Sequence, residues 1–370
     1  MALRTWGRLA ALGLMLVGGT AALAQAGSVE VGELDGVPFR VDIPDNWNHS
    51  LVVFYHGYSL VPDTFKKEDG PGAVIAFTQR GYATVRSAYS TTGWALAEGF
   101  ADTEKLRQEF TKKHGQPKET FVAGHSMGGA LTMMTVERNP GPYTGGLDLC
   151  GAVVPANEWA QRRFALLAAF EFYFPGLLPD LVPAPVNYVE TPEVDKKLLD
   201  ALKADPANAE KMRRLTSLYR DEDVAHLMQY VVFQVSDFSR KAGGNAVDTA
   251  NFILTGSGSA EEDFRLNDGV KRYSPDSAAR KWMIANYSGT GKLTKPMLAL
   301  HTVYDTLIPA TSIAAYAERV TESGSADHFT QQYVDHVGHC AFTPDEVGRA
   351  FDELVGWTHG GPRPTGGKLP

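Results

Sequence analysis

The sequence predicts an α/β fold: a mostly parallel central sheet with helices on both faces and a large helical cap inserted into it. Three observations predict it. Short apolar strands alternate with helical stretches up to residue 154. One of those strands runs straight into a glycine-flanked serine turn, and a run of helix formers follows it. The alternation then gives way to helical pattern over 155–295 and resumes at 296. Strand–helix–strand order implies parallel pairing, because a helical crossover returns the chain to the same end of the sheet.

Residues 29–43 alternate around Asp35-Gly36 and read as two edge strands joined by a turn. The compact apolar run 51–55 ends at His56-Gly57, and a second strand over 82–87 is introduced by Gly81. A helix is predicted over 101–114, a buried strand over 120–123, a helix over 130–137 and a strand over 147–154. Within the insertion the clearest helical stretches are 158–174, 193–203, 207–219 and 223–238. The strand pattern returns at 296–301 and again at 328–334, with helices over 312–323 and 344–357. The expected organisation is therefore a core of 27–154 plus 296–359, a cap of 155–295, and a Gly/Pro-rich tail, 360–370, expected to be disordered.

With 370 residues the chain is long enough for one large domain. Its formal net charge of −8 and the lack of a basic run give no support for nucleic-acid binding. Arg4 and Arg8 flank the start of a short apolar segment, which ends in Ala22-Leu23-Ala24 and Ala24-Gln25-Ala26. This is the pattern of a secretory signal peptide over 1–26, so the mature chain is expected to be secreted or periplasmic. The segment is short and broken by glycines, unlike a membrane anchor, and no stable membrane insertion is expected.

The strongest chemical signal is Gly124-His125-Ser126-Met127-Gly128. It matches G-x-S-x-G, in which a serine projects from a sharp strand-to-helix turn that only small neighbours permit. Ser126 is the predicted nucleophile. The same pentapeptide occurs as a plain glycine-rich turn, but here a buried strand and a helix bracket it. Asp305 lies just past the strand 296–301, and His339 follows the last strand, so the chain order is serine, acid, histidine. His339 would take the Ser126 proton, and Asp305 would hold its tautomer. His336 competes for the base role, but the glycine before His339 suits an exposed turn. The backbone N–H groups of Met127 and Tyr58 are the expected oxyanion donors. His125 is read as structural.

Other readings carry less chemistry. Residues 89–94 are candidates for the pocket wall or a surface loop. Phe170, Phe172, Tyr173 and Phe174 would line an apolar pocket or pack among the helices. Cys150 and Cys340 are the only cysteines, and a disulfide between them would tie the histidine loop to the root of the insertion. Two free thiols are the alternative, less usual in a secreted protein. No histidine spacing resembles a metal site, so no metal and no cofactor are expected.

On these residues the chain resembles the α/β-hydrolase superfamily, most closely its secreted bacterial serine esterases and the peptidase-related branch. The resemblance spans 45–155 and 295–358. It implies Ser126 as nucleophile, Asp305 as acid, His339 as base, and Tyr58 and Met127 at the oxyanion positions. Gly338-His339-Cys340 is also similar to tannases and feruloyl esterases, but position 125 is His where those have Cys. Their particular disulfide is therefore absent. The expected activity is hydrolysis of a small-molecule or polymeric carboxylic ester, in the manner of a serine esterase or lipase. An exopeptidase or amidase using the same triad is the alternative, and a binding protein that has lost activity is a third reading.

Overall fold

The computed structural model describes residues 27–286 and 289–370; the expected signal peptide, 1–26, lies outside them. A nine-stranded sheet runs in the order β1-β2-β4-β3-β5-β6-β7-β8-β9. Its strands are β1 (Ser28–Leu34), β2 (Val37–Ile43), β3 (Leu51–Tyr55), β4 (Ala83–Ser87), β5 (Thr120–His125), β6 (Gly145–Leu149), β7 (Met297–Tyr304), β8 (Phe329–Val337) and β9 (Gly367–Lys368). β1 and β2 pair antiparallel across a tight turn in which Asp35 and Gly36 both have positive φ. That is the backbone a two-residue hairpin favours. β2 joins β4 antiparallel, and every pairing beyond it is parallel.

Strand periodicity sends alternate side chains to opposite faces, and β3 shows the consequence. Leu51, Val53 and Tyr55 join the core under α2 (Leu96–His114) and α3 (Met127–Arg138). Val52 and Phe54 face the other way, toward α1 (Ile75–Thr78) and α11 (Pro344–Thr358). There the Phe351 ring meets Phe77 and Phe121 edge-on at 4.9 and 5.2 Å. Helix α10 (Thr311–Glu322) covers the first face beyond β7.

Between β6 and β7 the chain forms α4 (Ala156–Tyr173), α5 (Pro192–Ala204), α6 (Pro206–Thr216), α7 (Asp221–Ala242), α8 (Ala260–Gly269) and α9 (Ser277–Asn286). Thr191, Asp205 and Ser259 each cap the helix that follows, accepting from the N–H three residues on.

Several expectations need correction. The tail is not disordered: β9 extends the parallel ladder, with Gln332 opposite Gly367 and Tyr333 opposite Lys368. Leu369 is buried, and its N–H donates to the Tyr333 carbonyl. Without β9, β8 would present an open edge. β6 stops at Leu149 rather than running to 154, because Cys150 turns the backbone to φ 50°. α2 begins five residues earlier than the periodicity implies, and α8 and α9 complete the insertion.

Candidate active site

β5 is buried along its length and ends between β3 and β6, in the middle of the sheet. Ser126 follows it directly, with φ 59° and ψ −121°, and α3 starts at the next residue. This left-handed backbone costs about 1–3 kcal/mol for a non-glycine residue. The neighbours must be small to allow it. A Cβ at Gly124 would sit 2.3 Å from the Gly128 carbonyl oxygen, and one at Gly128 would sit 2.2 Å from that of Tyr55. The turn is pinned by Ser126 N–H donating to the Leu149 carbonyl at 2.9 Å. Ser126 is 7% exposed, and the first turn of α3 directs its N-terminal partial positive charge at it.

His339 leaves β8 after Gly338, whose φ is 119°. Its Nε2 lies 2.8 Å from Ser126 Oγ, and its Nδ1 lies 2.8 Å from Asp305 Oδ2. The other Asp305 oxygen accepts the backbone N–H groups of Leu307 and Ile308, each at 2.8 Å. Burial alone would raise the Asp305 carboxyl, but the hydrogen bond and charge of His339 outweigh it and hold the group below its ordinary value. Asp305 is thus a carboxylate that accepts from Nδ1–H. That tautomer leaves the Nε2 lone pair facing the serine hydroxyl. His336 points elsewhere, pairing with Glu346 at 2.8 Å beside the capping box of α11.

The loop after β3 lies against the serine: a Cβ at Gly57 would come within 3.3 Å of Ser126 Cβ. Neither the Tyr58 nor the Met127 backbone N–H has a hydrogen-bond partner among the described residues. His125 accepts the Gly57 N–H at 3.2 Å. Burial first, then the nearby imidazoles of His56 and His339, push its pKa down to about 3, so the ring stays neutral and keeps accepting.

A second support comes from the insertion, and no local sequence pattern signals it. The buried Asp237 of α7 accepts the Tyr58 hydroxyl at 3.0 Å and the Trp94 N–H at 2.7 Å. Lys241, one turn on, donates to the Trp94 carbonyl. The 89–94 segment is therefore tied to the insertion. Phe170, Phe172, Tyr173 and Phe174 pack within the insertion instead of lining the serine. Phe170 stacks on Phe174, Arg265 lies over the Phe172 ring, and the Tyr173 hydroxyl donates to Glu262.

Cys150 and Cys340 form a disulfide, with Cα atoms 5.4 Å apart. Cys340 Sγ lies 3.5 Å from His339 Nε2. These two sulfurs and the imidazole have a spacing that metals use, but a disulfide leaves no thiolate to bind one.

The sequence model of the Alpha/beta hydrolase family matches residues 52–350, and the chain belongs to that family. No curated protein matches the chain by sequence. Among solved structures it is similar to an esterase of Pyrococcus furiosus, at 12% identity and a TM-score of 0.46, over 92% of this chain and 96% of that one. It is similar also to Est1E from Butyrivibrio proteoclasticus, at 13% identity and a TM-score of 0.46, over 90% of this chain and 99% of that one. A third is the acylaminoacyl peptidase of Pyrococcus horikoshii, at 11% identity and a TM-score of 0.46, over 90% of this chain and 42% of that one.

Proposed function

We propose that this protein is a secreted or periplasmic serine hydrolase that cleaves carboxylic esters through an acyl-enzyme. The observation that carries the proposal is the continuous hydrogen-bonded line Ser126–His339–Asp305, with both contacts at 2.8 Å. Ser126 Oγ attacks the ester carbonyl while His339 Nε2 takes its proton, and Asp305 stabilises the imidazolium that forms. The Tyr58 and Met127 N–H groups receive the developing oxyanion; leaving both free for the reaction is what such a role requires. His339 then protonates the departing alcohol. Water enters, gives its proton to His339 and attacks the acyl carbon, releasing the acid and restoring Ser126.

The helical insertion acts as a cap, through the contacts of Asp237 with the oxyanion loop. Two features support export: the leader-like segment 1–26 and a disulfide of the kind that persists in oxidising compartments. No described helix is long and apolar enough to cross a membrane.

The test is turnover of a panel by the purified enzyme, with Ser126→Ala as the matched control. The panel holds short and long p-nitrophenyl esters, methyl ferulate, a polyester and aminoacyl p-nitroanilides. The proposal expects Ser126-dependent ester hydrolysis with the anilides inert. Faster turnover of the anilides would move the assignment to a peptidase or amidase.

A further inference from the structure

Arg163 is out of keeping with its surroundings. It sits in α4, on the insertion, and is 5% exposed. It makes no ion pair and no hydrogen bond among the described residues, and its Nη1 is fully enclosed without a partner. Every other arginine of α4 and α7 behaves ordinarily: Arg162 lies toward solvent, and Arg240 pairs with Asp237. Burial is the main influence on Arg163 and lowers its pKa to about 10, which leaves it charged at neutral pH.

A buried guanidinium without an ion pair is costly, and folds do not keep one without compensation. Part of the compensation is visible. The guanidinium stacks over the Trp159 ring at 4.0 Å, one helical turn back on the same face of α4, and the Tyr230 ring of α7 is 5.9 Å away. Cation–π contacts do not cancel the charge. The Asp305 carboxylate acts on the guanidinium from a distance but makes no ion pair with it, since its oxygens are taken by His339 and by the Leu307 and Ile308 N–H groups.

Its position relates this charge to the serine. Trp159, on which Arg163 lies, packs against Ala152 and Ile308. The Ala152 N–H donates to the Ser126 carbonyl, and the Ile308 N–H donates to Asp305. One side-chain layer therefore separates the guanidinium from the triad. On the other side Tyr230 meets the Tyr58 ring of the oxyanion loop at 6.2 Å.

We propose that Arg163 receives a free carboxylate carried by the substrate, so that the enzyme selects anionic esters over neutral ones. The planar fork of a guanidinium binds a carboxylate through two parallel N–H···O bonds, and the Trp159 face holds that fork in place. The inference rests on the serine-esterase reading above. The carboxylate belongs either to the acyl group or to the leaving alcohol, and two matched pairs separate these sources. For the acyl side, p-nitrophenyl hydrogen glutarate is compared with p-nitrophenyl pentanoate. For the alcohol side, 4-acetoxybenzoate is compared with phenyl acetate.

In the wild-type enzyme kcat/KM is expected to favour the charged member of one pair by at least tenfold. Arg163→Met should reduce that ratio to near one, and Arg163→Lys should retain part of it. The wild-type ratios decide first and do not depend on how the variants fold. Ratios at or below one in both pairs would overturn the proposal, as would a preference that survives Arg163→Met. Absence of any Ser126-dependent ester turnover is a different result, and it would fall on the proposed function instead.

Discussion

Asp148 lies in β6, opposite Gly124 in the parallel register, and its carboxyl is wholly buried. It is wedged where a Cβ at Gly129 or Gly151 would come within 2.0 or 2.1 Å of Oδ1. Burial is the main effect on this carboxyl and raises its pKa from 3.8 to about 8, while the Gly151 backbone N–H offsets only part. The native state therefore keeps its proton over a range where the unfolded chain has lost it. Stability that is full below the unfolded value falls as pH rises toward the folded one, through the window from 3.8 to about 8. Each pH unit across that window removes about 1.4 kcal/mol, so the ceiling on the loss is on the order of 6 kcal/mol. Asp148→Asn has nearly the same shape and does not titrate. Urea unfolding of both proteins at pH 5 and pH 8.5, with the disulfide intact, measures the effect. The variant should be close to wild type at pH 5 and more stable by several kcal/mol at pH 8.5. A stability difference that is the same at both pH values would refute the reasoning, because the carboxyl would then not be held protonated in the fold.

Three further outcomes follow from the site. Asp305→Asn keeps the shape but loses the carboxylate that fixes the His339 tautomer, so kcat on p-nitrophenyl acetate should fall roughly a thousand- to ten-thousand-fold with little change in KM. Asp237→Ala strands the Tyr58 hydroxyl and the Trp94 N–H at about 1–3 kcal/mol each. Urea unfolding should show a loss of roughly 2–5 kcal/mol, and ester turnover should fall because the loop proposed to hold the oxyanion is released. Replacing both Cys150 and Cys340 by Ala opens a link that spans 190 residues, which is expected to cost about 2–5 kcal/mol. Wild type treated with reductant should show the same thermal shift as that variant.

The serine turn is legible in the sequence because its signal is local: three glycines, a strand before and a helix after, all within a few residues. Asp305 and His339 are legible by chain order, since each follows a strand. What escapes the sequence depends on distant partners. β9 exists because β8 has an edge to cover, and nothing in Gly366-Gly367-Lys368 signals that. The end of β6 is obscured because Val153 and Val154 continue the apolar run, whereas the left-handed turn at Cys150 is a matter of geometry. The start of α2 is hidden because Gly99 interrupts the pattern; a Cβ there would press on Leu131 and Tyr89, so packing selects the glycine. Asp237 sits on an amphipathic helix like many charged residues, and Arg163 on a helix buried nearly all round. Only their burial and their neighbours across the fold set them apart.

The central claim is that Ser126 is the nucleophile, and a fluorophosphonate probe tests it most directly. Peptide mapping of the labelled protein should place one adduct per chain on Ser126. Labelling should vanish in Ser126→Ala and slow sharply in His339→Ala. An adduct on another residue, or ester turnover that persists in Ser126→Ala, would contradict the account.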